Sequence, residues 1–340
     1  MKKQDTQSDA GKKLIVVTGG TGFIGSRCAV ELAKRGYPIR VADPVSPHER
    51  GISFPDSVEF MQGTLSDSRF TRGALRGANT ILHLAANIGP IGYMQDRQAD
   101  ILRDNMRIDT ALYQEAVGEE RRPCVVYGSS SMVYQRVPHY PYREEDLQNA
   151  PPPTNIYGMS KLVGEYFCHS YFNQHGLPFV IMRYHNVYGP GETTKGEGAG
   201  NIHVIPALIK KALAGQYPLE LLGGENATRP FTYIDDAVEA TVMIVERAVR
   251  RDAAVIGNDF NIGPREAKSI VEIARMIWDM AGNGDPFQYV VRTTDAITSL
   301  RREMTPDKIE RIIGWKPRTD LREGILKTVA WMRNNAPAVV

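Results

Sequence analysis

The stretch that decides the fold of this chain is LIVVTGGTGFIG, residues 14 to 25. Its first five residues, LIVVT, are apolar and rich in β-branched side chains, and glycines follow them directly. A run of this kind is too short for a helix and is typical of a buried strand in a parallel sheet. Residues 19 to 25 then predict a tight turn, and residues 26 to 35 predict a helix that ends at Gly36.

The glycines of this turn, Gly19, Gly22 and Gly25, have the spacing G-x-x-G-x-x-G. Glycine is needed where a chain turns sharply, where its backbone approaches a pyrophosphate, and where a helix packs closely on a strand. The start of the following helix offers unpaired N–H groups to phosphates. A second predicted strand, residues 38 to 42, is followed by Asp43, whose carboxylate suits ribose hydroxyls and would repel a 2′-phosphate. The pattern therefore predicts a site for NAD.

Strands and helices continue to alternate through the first half of the chain. The pattern predicts further strands at residues 58–60, 80–85, 123–128 and 177–184, and helices at 101–117 and 157–172. This alternation favours the α/β class, with a Rossmann-type doubly wound parallel sheet.

The composition of the sequence and the length of its predicted elements change after about residue 186. A loop rich in glycine comes first, and shorter elements are predicted at residues 201–214, 219–222, 235–249, 268–281, 306–313 and 321–334. We expect a disordered lead-in over residues 1–12 and an NAD-binding domain over 13–186. Residues 187–340 should form a smaller C-terminal α/β lobe that mainly binds substrate, with some chain crossing back.

The composition excludes several classes of protein. Of the 340 residues, 41 are Lys or Arg and 39 are Asp or Glu, so the net charge of +2 supplies no bulk field for nucleic acid or an anionic membrane. No apolar run approaches the roughly 18 residues that span a bilayer, and the polar N-terminus does not read as a secretory signal. The 3 cysteines form neither a disulfide framework nor a CxxC metal site. We expect a cytoplasmic protein without a metal.

A second motif carries the chemistry. Tyr157 and Lys161 in YGMSK are four residues apart, so on a helix they share one face. The charge of the lysine can lower the pKa of the phenol from about 10, which makes it a usable base. Three serines, Ser129 to Ser131, follow a predicted strand, and a hydroxyl there can orient a substrate oxygen. Read alone, the motif is also compatible with a solvated helix face.

The motifs together resemble the extended short-chain dehydrogenase/reductase family over residues 13 to 334. They are TGGTGFIG (18–25), HLAA (83–86), Asn105, SSSMVY (129–134), YGMSK (157–161), RYHNVYGP (183–190) and RPFTYIDD (229–236). The resemblance implies that Ser130, Tyr157 and Lys161 carry hydride chemistry on nucleotide sugars. It also implies a tightly bound NAD that is regenerated in each turnover.

The resemblance further implies which residues contact NAD. They are Gly19, Gly22, Phe23, Ile24, Gly25, Asp43, Leu65, Ala85, Ala86, Asn105, Tyr157, Lys161 and Tyr184. His83 is interpreted as a buried side chain beside the nicotinamide pocket and not as a ligand.

Three segments, residues 88–95, 183–198 and 312–325, resemble the GDP-mannose 3,5-epimerase branch of the family. This resemblance implies that Lys195 is an acid/base residue. It implies substrate contacts from Gly89, Ser131, Met132, Asn186, Arg229 and Arg302. Met132 stands where that branch has a cysteine, and a thioether cannot transfer protons. Ser131 and Met132 also stand where the 4,6-dehydratase branch has Asp and Glu, which disfavours ordinary 4,6-dehydration.

The resemblance therefore implies an NAD-dependent nucleotide-sugar epimerase that acts through a transient 4-keto intermediate, either like the 3,5-epimerases or at C4. A 4-ketoreductase, a dehydratase, a decarboxylase and a non-catalytic dinucleotide sensor stay open as alternatives. The expected partners are a nucleotide-diphosphate sugar and a second copy of the chain, which would pair through the helices predicted at 101–117 and 157–173.

Overall fold

The computed structural model describes residues 13–89, 91–192, 202–224, 226–292 and 301–335. The strands within these ranges are β1 (Ile15–Thr18), β2 (Ile39–Asp43), β3 (Val58–Gln62), β4 (Thr80–His83), β5 (Cys124–Ser130), β6 (Phe179–Tyr184), β7 (Val187–Tyr188), β8 (Leu219–Leu222), β9 (Thr228–Arg229), β10 (Thr232–Tyr233), β11 (Asp259–Ile262), β12 (Lys268–Ser269) and β13 (Tyr289–Arg292). The helices are α1 (Phe23–Lys34), α2 (Ser68–Leu75), α3 (Ile91–Asp96), α4 (Gln98–Gly118), α5 (Ile156–His175), α6 (Val204–Leu213), α7 (Ile234–Val249), α8 (Ile270–Met280), α9 (Asp307–Ile313) and α10 (Leu321–Asn335).

A seven-stranded sheet organises the fold, with the strand order β11-β6-β5-β4-β1-β2-β3. Its neighbouring strands are all parallel, and β1 lies between β2 and β4. Every residue of β1, β4 and β6 is buried, as expected for a sheet covered by helices on both faces. The predicted Rossmann-type sheet is thus confirmed. The strand order reverses between β1 and β4, and ligands of such sheets bind beyond the carboxyl ends of the strands at that reversal.

The later part of the chain contributes to this sheet as well. β11 lies far beyond residue 187 and yet forms the edge strand beside β6, where Phe260 pairs with Met182. α7 buries one face in the core that the sheet residues Val17 and Val180 share. Smaller parallel and antiparallel pairs join β8 to β13, β7 to β10 and β9 to β12. The division into domains at residue 186 stays a prediction.

Most predicted elements agree with the structure within three residues, and the differences have local causes. α1 begins at Phe23 rather than at residue 26, because Gly22 in extended conformation already serves as its N-cap. α2 was not expected, since it is short and polar, and it is started by the Asp67 carboxylate, which accepts from two backbone N–H groups. No helix in the described ranges is long and apolar enough to cross a membrane.

Candidate active site

The glycine turn lies at the reversal of strand order, between β1 and α1. Gly19 has a φ of +67°, and a Cβ atom at this position would lie 2.7 Å from the backbone nitrogen of Ala85. A Cβ atom at Gly25 would lie 2.3 Å from the carbonyl oxygen of Gly19. The turn can therefore close only with glycine at these positions, and it leaves the start of α1 open to a phosphate group.

Asp43 lies at the end of β2, beside this turn. Its side chain is buried, and its two oxygens accept the N–H groups of Thr21 at 3.1 Å and Val45 at 2.9 Å. Each oxygen keeps capacity for a further donor such as a ribose hydroxyl. Arg40 on the same strand, the nearby cation that would favour a 2′-phosphate, is instead bound to the Glu59 carboxylate at 2.8 Å. The arrangement fits NAD, as the sequence predicts.

The other predicted cofactor contacts line the same edge of the sheet. Leu65 is buried, and Ala85 and Ala86 lie two and three residues beyond the end of β4. Asn105 in α4 accepts the N–H of Asn87 at 2.6 Å and donates to its carbonyl at 3.1 Å, which fixes the loop after β4. Within the described ranges the buried Thr21 hydroxyl in the turn has no hydrogen-bond partner. This is expected of a group that forms its hydrogen bond with a bound ligand.

Tyr184, at the end of β6, is the predicted cofactor residue whose polar group is already bound elsewhere. Its hydroxyl lies 2.6 Å from the hydroxyl of Thr241 in α7, inside the core. Because the hydroxyl is bound there, the arrangement does not support a contact between this hydroxyl and the cofactor.

The predicted catalytic side chains Ser130, Tyr157 and Lys161 meet at this edge. Ser130 is the last residue of β5, and its hydroxyl accepts the N–H of Met132 at 3.2 Å. It lies near enough to Tyr157, in the first turn of α5, to lower the pKa of that phenol. Lys161 lies one turn further along α5, is buried, and holds its Nζ 4.9 Å from the centre of the Tyr127 ring. The structure thus has a hydroxyl at the end of β5, and a phenol and an ammonium group in the first two turns of α5.

Burial controls the protonation of these groups. Burial raises the pKa of Tyr157, and the neighbouring Ser130 side chain offsets this only in part. Burial lowers the pKa of Lys161, and the negative charges of Asp109 and Glu165 oppose that shift. In the protein alone Tyr157 is therefore a neutral phenol, and it becomes a base only when further positive charge lies near it.

Glu165 and Arg183 lie behind the predicted catalytic serine, Ser130, and the sequence motifs do not predict a role for them. The Glu165 carboxylate accepts from Arg183 Nε at 2.9 Å, from Arg183 Nη2 at 2.7 Å and from Ser129 Oγ at 2.5 Å. Ser129 is thereby turned into the interior, whereas Ser130 faces Tyr157. Both missed residues lie inside quoted motifs or one turn beyond them, but no sequence signal indicates their pairing.

Two arginines, Arg229 and Arg302, define the predicted substrate side. Burial lowers the pKa of Arg302 to about 10, and burial together with the charge of Arg302 lowers the pKa of Arg229 to about 9. The guanidinium of Arg302 contacts the sulfur of Met132. In the part of the chain that the structure describes, Arg302 Nε is buried without a hydrogen-bond partner. The charge of Arg302 acts on Arg229, and two desolvated cations that interact in this way favour an anion beside them.

The remaining predicted substrate residues have mixed positions. Asn186 has a φ of +35° and donates from its side chain to the carbonyl of Pro230 at 3.1 Å, beside Arg229. Ser131 is buried next to Ser130, and Gly89 packs against the Tyr93 ring, which a Cβ atom would approach to 2.5 Å. Lys195 lies outside the described residues. The structure shows no cluster of three or more potential metal-ligating side chains in its described part.

Comparisons with known proteins point to the same chemistry. The sequence model of the NAD dependent epimerase/dehydratase family matches residues 15–263. A UDP-N-acetyl-alpha-D-glucosaminuronate decarboxylase of Bacillus cytotoxicus is 30% identical, over 95% of this chain and 98% of the relative. GDP-mannose 3,5-epimerase 1 of Oryza sativa subsp. indica is 28% identical, over 95% of this chain and 82% of the relative. The crystal structure of Thermus thermophilus UDP-glucose 4-epimerase in complex with NAD superposes with a TM-score of 0.77 and 25% identity, over 95% and 99% of the two chains.

Proposed function

The chain belongs to the NAD-dependent epimerase/dehydratase family, and from this premise we propose that it inverts a carbon of a nucleotide-diphosphate sugar through a transient 4-keto intermediate. It is an NAD-dependent enzyme of the nucleotide-sugar epimerase class, with decarboxylases and reductases among its relatives. The observation that carries the proposal is the placement of Ser130 at the end of β5 against Tyr157 in the first turn of α5, with Lys161 one turn further along that helix.

Each catalytic side chain has a distinct role in this proposal. Tyr157 Oη takes the proton from the C4 hydroxyl, and Ser130 Oγ orients the same sugar oxygen. Lys161 stabilises the resulting phenolate by its charge. Bound NAD supplies the acceptor, and later the donor, of the C4 hydride. Tyr157 then returns its proton as the ketone is reduced, so the enzyme ends each turnover in its starting state.

The arginine pair supports the nucleotide-sugar part of the proposal. Arg229 and Arg302 are desolvated and adjacent, and a diphosphate is the group in such a substrate that matches two guanidinium ions. Asn186 is held next to Arg229 through Pro230 and can add an amide donor there. Met132, against Arg302, provides no proton at the sugar. This favours inversion at C4 over inversion at C3 and C5.

A second candidate, decarboxylation of a nucleotide-linked uronic acid, is favoured by one observation. The guanidinium of Arg302 reaches Met132, two residues from the catalytic Ser130. A cation beside the predicted catalytic serine suits a carboxylate on the sugar as well as a phosphate. The 4-keto intermediate of such a sugar is a β-keto acid, which loses carbon dioxide readily.

Incubating the purified protein with GDP-, UDP-, dTDP- and CDP-sugars in deuterated water, without added cofactor, tests the proposal. We expect inversion at C4 without deuterium in the product, because the same hydride leaves and returns. Deuterium at C3 or C5 indicates inversion at those carbons, and carbon dioxide from a uronic acid indicates decarboxylation. A requirement for stoichiometric reduced cofactor contradicts the internal redox cycle.

We also propose that the active form is a cytoplasmic homodimer. Its three cysteines are all free and buried, which suits a reducing compartment. Tyr166 on α5 is 64% exposed and Phe172 is 41% exposed, and this apolar surface supports pairing through α4 and α5. We expect sedimentation at twice the chain mass of 37.8 kDa. Tyr166→Glu should shift it to the monomer, and a wild-type protein that sediments as a monomer contradicts the proposal.

A further inference from the structure

A buried carboxylate lies behind the catalytic lysine, on a different helix. We propose that Asp109 in α4 is the counter-charge of Lys161 and is a positioning residue that acts on Tyr157 through that lysine. The inference rests on the proposed function, because it assigns Asp109 a part in the chemistry of Tyr157. Neither sequence motifs nor the comparisons assign it one.

The position of Asp109 is fixed from three sides. Its Oδ1 lies 3.0 Å from His83 Nε2, and its Oδ2 lies 3.4 Å from the hydroxyl of Tyr127. The third side is α5, where a Cβ atom at Gly164 would lie 2.8 Å from Asp109 Oδ2 and 1.9 Å from the Tyr127 hydroxyl. A glycine at this point of α5 therefore lets the carboxylate lie against the helix that carries Lys161.

Tyr127 connects the carboxylate to the lysine. The Lys161 ammonium lies over the face of the Tyr127 ring, 4.9 Å from its centre, while the hydroxyl of the same ring donates to Asp109. A ring that is hydrogen-bonded to an anion presents a more negative face to a cation, so both contacts act in the same direction. Direct attraction between the two charges adds to this effect.

The two hydrogen bonds of His83 are compatible with a neutral ring beside the Asp109 carboxylate. His83 is fully buried, with Nδ1 2.7 Å from the hydroxyl of Thr18 and Nε2 next to Asp109. One proton on the ring satisfies both contacts, because Nε2–H donates to the carboxylate and Nδ1 accepts from the threonine hydroxyl. The ring is then neutral and leaves the charge of Asp109 for Lys161.

The charge of Lys161 depends on Asp109 because the other carboxylates nearby are bound to other cations. The other nearby anions are already committed: Glu165 takes two bonds from Arg183, and Asp259 is paired with Arg183 at 2.8 Å and with Lys308 at 2.5 Å. Among the described residues, Asp109 and Glu165 are the carboxylates whose charge acts on Lys161. Since Glu165 is bound by Arg183, loss of Asp109 leaves Lys161 without an uncommitted carboxylate beside it.

The groups that face Lys161 determine the expected direction of the effect. They are Asp109 from α4, Glu165 and Cys168 from α5, and Tyr127 from β5, with His83 from β4 behind Asp109. Burial raises the pKa of the Cys168 thiol and the Tyr127 phenol, so both are neutral. Burial lowers the pKa of Lys161, and loss of Asp109 removes the strongest charge that opposes this shift. Lys161 then loses its proton at lower pH, and Tyr157 loses its cation.

The variant Asp109→Asn tests the proposal because it keeps the shape and an acceptor oxygen but removes the charge. Wild-type and variant holoenzyme, labelled with ¹³C at lysine Cε, are titrated by NMR without substrate, and Lys161→Met identifies the Lys161 signal. We expect the Lys161 signal of the Asn variant to titrate at lower pH. With a substrate, the alkaline limb of the kcat profile should also move to lower pH, with KM unchanged. At a fixed pH on that limb, kcat should fall by roughly tenfold for each pH unit of the move.

Tyr127→Phe is the matched control, because it removes the hydroxyl bond to Asp109 and keeps both the ring and the carboxylate. Its Lys161 signal should stay closer to the wild-type position than that of Asp109→Asn. If Asp109→Asn folds poorly, Asp109→Glu keeps the charge with a similar disturbance of packing and should restore the wild-type titration. An unchanged Lys161 titration in Asp109→Asn overturns the inference. Because that titration needs no substrate, it can succeed even where the nucleotide-sugar assay fails.

Discussion

Tyr157→Phe is expected to lower kcat by about 10²- to 10⁴-fold, the usual contribution of a positioned acid/base group. The phenol oxygen lies beside Ser130, and Phe removes only that oxygen. Tyr157 is 7% exposed, so the ring that packs in the site is preserved and the fold should be unchanged. Steady-state kinetics with the nucleotide sugar found in the substrate panel provide the measurement.

Tyr166→Phe is the control for this variant, since it removes the same atom from an exposed tyrosine of the same helix. It should leave kcat at the wild-type value. Ser130→Ala should cause a smaller loss than Tyr157→Phe, because Ser130 orients the oxygen but does not hold the proton. Turnover of Tyr157→Phe at the wild-type rate would mean that another group serves as the base and that the proposed mechanism is wrong.

The parts of the site that sequence alone predicts are those encoded in short contiguous stretches. The turn at Gly19 to Gly25 needs glycine for reasons visible in a few neighbouring residues, and Tyr157 and Lys161 share a face through helix periodicity alone. The fold follows from the same local signals, since the alternation of strands and helices already specifies a parallel sheet. The structure confirms the sheet and has Tyr157 and Lys161 one turn apart on α5.

The parts that sequence could not predict depend on pairs that are distant in the chain. Asp109 contacts His83 across 26 residues, and Arg183 contacts Glu165 across 18 residues. Because each pair joins two different elements, the periodicity within one element does not predict either contact. Ser129 and Ser130 are neighbours of the same type, and only the Glu165 carboxylate separates their roles. The edge position of β11 likewise depends on its pairing with β6, which lies far earlier in the chain.

Gly25→Ala is expected to weaken NAD binding strongly, and this is the second large effect. The added Cβ atom would lie 2.3 Å from the carbonyl oxygen of Gly19, which belongs to the backbone and cannot rotate away. Relief of such a clash displaces the start of α1 from the turn, and overpacking of this kind costs roughly 1–3 kcal/mol. Where that cost falls on the bound state, the Kd for NAD rises by about 5- to 150-fold.

Substitutions at three glycines separate this effect from a general loss of stability. A Cβ atom at Gly22 would lie 3.0 Å from the same carbonyl oxygen of Gly19, and one at Gly118, at the end of α4, meets nothing within 4 Å. The Kd measured by calorimetry should therefore increase most for Gly25→Ala, less for Gly22→Ala, and not at all for Gly118→Ala. An equal loss in all three would indicate unspecific damage, and wild-type affinity in Gly25→Ala would show that NAD does not lie on this turn. Since the carbonyl of Gly19 is the neighbour in both of the first two cases, the difference between them measures how closely α1 must approach the turn for the diphosphate to bind.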